Sequence, residues 1–211
     1  MARPELSIVV PVFERPETVA RFHARLVEAW PSTLPPAEVV YVDDGSRDGT
    51  WDALRRLPPG PFTCRGLRLG RNTGQTVAMW TGWAAAEGEW LGSLDAELEI
   101  DPSCLGLLWA ATEPGHDLVL AVRRTRHVAR GRRLGSIAWN AVTRLTFRVR
   151  QRDLWCAALL MHRGLFASLA GDGGRHRQFK LLLLARARRP IQVVVPAAAG
   201  DAPGDRFREL A

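Results

Sequence analysis

The amino-acid sequence predicts a single α/β domain, with a mostly parallel sheet and helices on both of its faces in a three-layer arrangement. Its 211 residues suffice for one domain with a sizeable core. Short β-branched runs alternate with segments whose apolar residues recur at helical spacing, which is typical of such a sheet. Polar clusters follow the predicted strands, and ligands of parallel sheets bind beyond the carboxyl ends of the strands. We therefore expect a binding site at that edge.

Strand and helix alternate in order through the first part of the chain. Five strands are predicted from short apolar runs: Leu6–Val12, Glu38–Val42, Leu67–Leu69, Trp90–Leu94 and Leu118–Val122. Helices are predicted between these strands, because apolar residues there recur at helical spacing. They are Val19, Phe22, Leu26 and Trp30 after Pro16, then Trp51, Leu54 and Leu57, then the segments Thr76–Ala86 and Leu105–Ala111. The pattern then weakens, and the later predictions are helices at Leu134–Phe147, Gly164–Ala170 and Gln178–Arg188, and strands at Ala157–Met161 and Ile191–Val195.

Composition and motif searches exclude several classes of protein. No apolar stretch reaches the ~18–20 residues that a membrane span needs, and no signal peptide is visible. The three cysteines lack CxxC spacing, which argues against a disulfide framework or a zinc site. The glycine patterns of P-loop proteins and of dinucleotide oxidoreductases are also missing. We therefore expect a cytoplasmic protein.

The formal charge of +7 is concentrated in one segment. Ten arginines lie between Arg123 and Arg152, with no acidic residue among them. This run is either a solvated helix face or a surface for a phosphate-rich acceptor or a membrane, to which the protein would bind peripherally. Nucleic-acid binding is disfavoured because few aromatic residues interleave with the arginines.

An acidic cluster follows the fourth predicted strand. Asp95 and Glu97 alternate along a segment predicted to be extended, so that they would point the same way, with Glu99 next in phase. Carboxylates suit a hard divalent cation, Mg²⁺ or Mn²⁺, that shares its coordination with phosphate oxygens. The alternative is an acidic turn that caps the helix near Pro102.

Further polar residues follow the other strands. Glu14 comes after the first strand, Asp43 and Asp44 after the second, and Arg71 and Asn72 after the third. The Asp-Gly-Ser sequence that ends in Ser46 would serve equally well as an Asx-turn that opens the next helix. Arg71 is either a base or phosphate ligand or an ordinary surface arginine.

These motifs, in this order, resemble those of family 2 inverting glycosyltransferases. The resemblance rests on four segments: Ser7–Phe13, Val42–Thr50, Asn72–Gln75 and Leu94–Leu98. It implies the GT-A fold, a Rossmann-like three-layer sheet, and is strongest for the branch that transfers sugars to polyprenyl phosphates, which includes dolichyl-phosphate mannose synthase. It also implies that residues 1–122 bind a nucleotide-diphosphate sugar, UDP- or GDP-linked, and that residues 123–211 bind the acceptor.

The resemblance assigns roles to individual residues. The donor site it implies comprises Pro11, Phe13, Glu14, Asp43, Asp44, Ser46, Arg71, Asn72, Gln75, Asp95 and Ala96. The metal ligands would be Asp95, Glu97 and Glu99, although the family's usual form is Asp-x-Asp followed by Gln. In the acceptor half, Arg123 and Arg132 match arginines that lie near phosphates, and Asp153 matches an aspartate of the family. Asp153 is also the best candidate for the base that a hydroxyl or amine acceptor would need.

Three functions remain open from the sequence. The first is transfer to a lipid phosphate, which needs no strong base because a phosphate with a second pKa of about 6 is largely ionised at neutral pH. The second is transfer to a small molecule or a protein. The third is a degenerate sugar-nucleotide binding module without turnover, suggested by Glu97 and by the departures from the family's pattern after Pro196.

Overall fold

The structure is a computed structural model that describes residues 4–112, 115–123, 156–169 and 179–196. Seven strands lie in this part: β1 (Leu6–Val12), β2 (Ala37–Asp43), β3 (Thr63–Arg68), β4 (Trp90–Ser93), β5 (Leu118–Arg123), β6 (Leu159–His162) and β7 (Pro190–Val195). They form one sheet in the order β3-β2-β1-β4-β6-β5-β7. β1 pairs in parallel with β2 and β4, β2 with β3, and β5 with β7. β6 runs antiparallel to both of its neighbours, β4 and β5.

Helices cover both faces of this sheet. The helices in the described ranges are α1 (Pro16–Glu28), α2 (Thr50–Arg55), α3 (Gln75–Ala85), α4 (Cys104–Ala110), α5 (Arg163–Ser168) and α6 (Phe179–Arg186). Buried residues of α1 and α4 share one core cluster with Ile8 and Val10 of β1. Buried residues of α3, α5 and α6 share the other cluster with Val9. Because β1 is covered on both faces, it is a continuous apolar run rather than an alternating one.

A glycine allows α3 to lie close to the centre of the sheet. A Cβ at Gly82 would stand 2.4 Å from Cγ1 of Val9, so any larger residue would push the helix away from β1. α3 begins directly after the loop that follows β3. The close packing therefore fixes the beginning of α3 at the carboxyl edge of the sheet.

The predicted fold class is confirmed, and most element boundaries agree within two residues. The third strand begins at Thr63 instead of Leu67. Its first residues are polar or exposed because β3 lies at the edge of the sheet, and its length is set by backbone pairing with β2 from Glu38 to Asp43. The antiparallel course of β6 was not predicted, since periodicity does not reveal strand direction. The predicted helix Leu134–Phe147 lies outside the described residues.

Candidate active site

Four loops meet at the carboxyl edge of the sheet. Asp44, in the loop after β2, donates its backbone N–H to Val12 O in β1 (2.9 Å), and Leu69, after β3, donates to Asp43 O (2.8 Å). Leu94, after β4, donates to Val9 O (3.2 Å). These bonds extend the strand ladders by one residue each and hold the loops side by side. The residues predicted after the first four strands are thereby brought to one edge.

The loop after β1 contains a strained residue. Glu14 adopts a φ of 49°, in the left-handed region that costs a non-glycine residue about 1–2 kcal/mol. Its N–H donates to Ser46 Oγ (2.9 Å), and the N–H of Arg15 donates to Thr50 Oγ1 (2.9 Å). Both acceptors belong to the segment after β2, so the two loops fix each other. Strained residues of this kind concentrate at functional sites.

Asp43 is a fully buried carboxylate with one unfilled hydrogen-bonding position. Its Oδ1 accepts from the N–H of Ser46 (2.9 Å), which closes the predicted Asx-turn. Its Oδ2 lies 3.3 Å from Nε of Arg68, an ion pair without hydrogen-bond alignment, and has no hydrogen bond within the described ranges. Arg68 also donates to Ser46 O (3.0 Å) and lies 5.8 Å from the ring centroid of Trp51. The charge of this buried carboxylate is therefore balanced by Arg68.

Asp44 holds the loop after β3. Its Oδ1 accepts from the backbone N–H and the hydroxyl of Thr73 (2.8 Å each), and its Oδ2 accepts from the N–H of Gly74 (2.7 Å). Gly45 permits the contact because its φ is 76° and a Cβ there would lie 2.4 Å from the carbonyl carbon of Arg71. Both aspartates thus have defined structural roles. Direct contact of either one with a nucleotide stays a prediction.

A cavity of about 370 Å³ lies between the loops that follow β2 and β3. Its lining includes Ser46 and two arginines that were not predicted, Arg47 and Arg68. The register of the strands identifies Arg68, because it pairs with Asp43 across β2 and β3. The predicted strand continued past Arg68 to Leu69, so Arg68 was not recognised as the last residue of the strand. The predicted residues Arg71 and Asn72 are exposed on the adjoining loop, and Gln75 is exposed at the beginning of α3.

The acidic segment after β4 is a turn, so the prediction of an extended segment is wrong. β4 leaves both of its ladders at Ser93. Asp95 then accepts the N–H of Glu97 on Oδ1 (3.2 Å) and the N–H of Leu98 on its carbonyl (3.4 Å), and Leu98 has a φ of 56°. The physical reason is that an aspartate side chain competes for nearby backbone N–H groups once the ladder ends. Asp95 is half-buried in this turn and Glu97 is exposed.

The third predicted metal ligand is engaged elsewhere. Glu99 Oε2 accepts from Nη1 of Arg123 at 2.7 Å, which joins the acidic turn to the last residue of β5. Among the described residues, no three His, Cys, Asp or Glu side chains form a group that could hold a metal ion. The structure therefore does not assemble Asp95, Glu97 and Glu99 into one site. A cation shared with ligand oxygens is compatible with Asp95 and Glu97, because such a cation needs few protein ligands.

The remaining predicted residues are distributed as follows. Pro11 is buried within β1, Phe13 is half-buried just after it, and Ala96 is buried in the acidic turn. Arg132 and Asp153 lie outside the described residues. A second cavity, of about 700 Å³, lies at the opposite edge of the sheet, and none of the predicted residues lines it. No described helix has both the length and the apolar character required to cross a bilayer.

The chain belongs to glycosyl transferase family 2, whose family model matches residues 7–167. It is 29% identical over 208 residues to the undecaprenyl-phosphate 4-deoxy-4-formamido-L-arabinose transferase of Pseudomonas syringae pv. syringae, a match covering 97% of this chain and 61% of that protein. The chain thus spans about three fifths of that relative's length.

Solved structures of glycosyltransferases share the fold. Glucosyl-3-phosphoglycerate synthase from Mycobacterium tuberculosis, in complex with Mg²⁺ and UDP, superposes with a TM-score of 0.67 at 20% identity, over 93% of this chain and 70% of that one. A mannosyltransferase from Pyrobaculum calidifontis, in complex with GDP-Man and Mn²⁺, superposes with a TM-score of 0.63 at 20% identity. The match covers 95% of this chain and 59% of that one. The predicted GT-A architecture is thereby confirmed.

Proposed function

We propose that this chain transfers a sugar from a UDP- or GDP-linked donor to an acceptor phosphate on a polyprenyl lipid, with inversion at the anomeric carbon and with Mg²⁺ or Mn²⁺ bound. The observation that carries the proposal is the convergence of four loops at the carboxyl edge of the sheet in a member of glycosyl transferase family 2. The family and the fold support sugar transfer. The name of the Pseudomonas syringae relative supports the polyprenyl phosphate.

Residues 1–122 form the donor-binding half in this proposal. The nucleoside binds in the cavity between the loops after β2 and β3, which Ser46 and Arg68 line, and the buried Asp43 holds Arg68 in place. Asp44 keeps the neighbouring loop in place, so that Arg71 and Asn72 flank the nucleotide. Glu14 and Ser46 link the loop after β1 to the same region. Binding therefore uses loops that are already fixed to one another.

Asp95 and Glu97 would hold the divalent cation together with the donor diphosphate. A cation bound there neutralises the charge of the nucleotide diphosphate and makes it a better leaving group. The half-buried Asp95, whose position is fixed by the turn, is the principal ligand, and the exposed Glu97 adds a second carboxylate. We leave Glu99 out of this set in the proposal, because its carboxylate pairs with Arg123.

The acceptor half, residues 123–211, begins with Arg123 and contains Arg132 and Asp153. An ionised acceptor phosphate attacks the anomeric carbon from the side opposite the diphosphate, so the configuration is inverted. Arg123 and Arg132 would orient that phosphate, since guanidinium groups match phosphate oxygens in geometry and charge. The arginines between Arg123 and Arg152 would place the protein peripherally at the cytoplasmic face of an anionic membrane. Asp153 would be needed as a base only with a hydroxyl or amine acceptor.

Calorimetric titration with UDP- and GDP-sugars tests the donor site. We expect binding in Mn²⁺ that is lost in EDTA and reduced at least tenfold by Asp95→Ala. Asp52→Ala is the matched control, because Asp52 is an exposed aspartate on α2 away from the acidic turn. Equal binding with and without metal, or in Asp95→Ala, would refute the metal assignment. Binding without any transfer to farnesyl phosphate would instead indicate a sugar-nucleotide binding module.

A further inference from the structure

One ion pair joins Glu99 and Arg123, for which the family resemblance implies separate roles. Arg123 Nη1 donates a hydrogen bond to Glu99 Oε2 at 2.7 Å, and the two groups form an ion pair. The Arg123 side chain is only 16% exposed and that of Glu99 is 37% exposed. Partial burial makes this pair less screened than a surface pair, so that the loss of either partner is felt by the other.

The carboxylate of Glu99 is presented by a rigid segment. Leu98, in the left-handed conformation, packs against the core, and Ile100 is buried in it. The next residue, Asp101, accepts two bonds from Arg25 on Oδ2, from Nε (2.9 Å) and Nη2 (2.7 Å). Glu99 is therefore held on both sides by residues that cannot shift easily. The backbone that carries the Glu99 carboxylate to Arg123 is thereby fixed.

Arg123 occupies the end of the strand nearest to the predicted acceptor segment. It is the last residue of β5, in register with Val195 of β7, so its backbone is fixed by the sheet. Its side chain would otherwise lose rotamer entropy on binding a ligand. The bond to Glu99 occupies one of the five guanidinium N–H groups and restricts the side chain before a ligand arrives.

We propose that Glu99 is a positioning residue for Arg123 and not a metal ligand, and that the guanidinium it orients binds the phosphate group of the acceptor. The acceptor part of this inference rests on the proposed function. The carboxylate that would coordinate a cation is already neutralised by a guanidinium. That positive charge also disfavours a cation at the same oxygens. The acidic turn thus contributes Asp95 and Glu97 to the donor side and Glu99 to the acceptor side.

Two affinities test this role in the full chain. The first is the affinity for Mn²⁺ in the presence of UDP, and the second is the affinity for farnesyl phosphate in the presence of UDP and Mn²⁺, both by calorimetry. Glu99→Ala should leave the first within twofold and weaken the second about tenfold. Arg123→Ala should weaken the second at least as much. The double variant should be no weaker than Arg123→Ala, because Glu99 acts only through Arg123.

Rescue and a matched control separate positioning from general destabilisation. Glu99→Gln keeps an oxygen that accepts from Arg123 and should recover most of the farnesyl phosphate affinity. Glu87→Ala removes a comparable partly exposed ion pair, Glu87 Oε1 to Arg65 Nη1 at 3.0 Å, at the opposite edge of the sheet. It should change neither affinity. Melting temperatures of all variants show whether any effect arises from unfolding.

Three results would overturn the inference. A tenfold loss of Mn²⁺ affinity in Glu99→Ala and Glu99→Gln, with Arg123→Ala unaffected, would make Glu99 a metal ligand. Additive losses in the double variant would show that Glu99 acts independently of Arg123. A wild-type protein that binds UDP and Mn²⁺ but not farnesyl phosphate would refute the assignment of an acceptor phosphate to Arg123, while the donor part of the proposed function would stand.

Discussion

Asp44→Ala separates a loop-holding role from a nucleotide-binding role. The substitution removes three hydrogen bonds to one carboxylate, two from backbone N–H groups and one from the Thr73 hydroxyl. Bonds to a charged acceptor are each worth about 1.5–3 kcal/mol net, but Thr73 and Gly74 are exposed and water would replace part of the loss. We therefore expect a destabilisation of about 2 kcal/mol, which lowers Tm by about 4–8 °C in a chain of this size.

The assay combines a thermal melt with a UDP titration. The loosened loop should also weaken UDP binding about tenfold, because it carries Arg71 and Asn72. Asp44→Asn keeps one acceptor oxygen but turns an amide donor toward Gly74, and should fall between alanine and wild type in Tm. An unchanged Tm together with a large loss of UDP affinity would refute the loop-holding role and make Asp44 a direct ligand.

Three further predictions concern stability and reactivity. Burial lowers the pKa of His23 below its usual value of 6.5. The stability that the neutral, buried imidazole contributes is therefore complete above pH 6.5 and is lost as the pH falls, and urea unfolding should show a steeper loss of stability from pH 7 to 5 in wild type than in His23→Phe. Gly45→Ala, which meets backbone at 2.4 Å, should lower Tm much more than Gly49→Ala, where a Cβ meets nothing within 4 Å and only about 1–2 kcal/mol of left-handed strain applies. Neighbouring groups partly desolvate the Cys64 thiol and raise its pKa to about 11, although the residue as a whole is exposed, so a thiol reagent at pH 8 should label it slowly. Labelling of Cys64 should still be faster than labelling of the buried Cys104, and equal rates would contradict this.

The fold class could be predicted from the sequence because patterns within short segments specify the strands and helices. Strands such as Leu6–Val12 are continuous apolar runs, and their alternation with helices specifies a layered sheet. The edge strand β3 was shortened in the prediction because its polar residues are stabilised by pairing and not by burial. The direction of β6 depends on contacts between distant segments, which periodicity does not contain.

The site was predicted by position but not by geometry. Parallel strands bring their carboxyl ends together, so Asp43, Asp44 and Asp95 could be placed at one edge from the sequence. Whether Asp95 starts a turn or continues a strand depends on where β4 leaves its partners. The pairing of Glu99 with Arg123, 24 residues away, likewise required the three-dimensional structure.

The anomeric configuration of the product tests the central claim most directly. The protein is incubated with α-linked UDP- and GDP-sugars, Mn²⁺ and farnesyl phosphate, and the anomeric coupling constant of the product is measured by proton NMR. In-line attack by the acceptor phosphate predicts a β-linked sugar phosphate, formed only when metal is present. An α-linked product, or the absence of any product from a protein that binds the donor, would contradict the account.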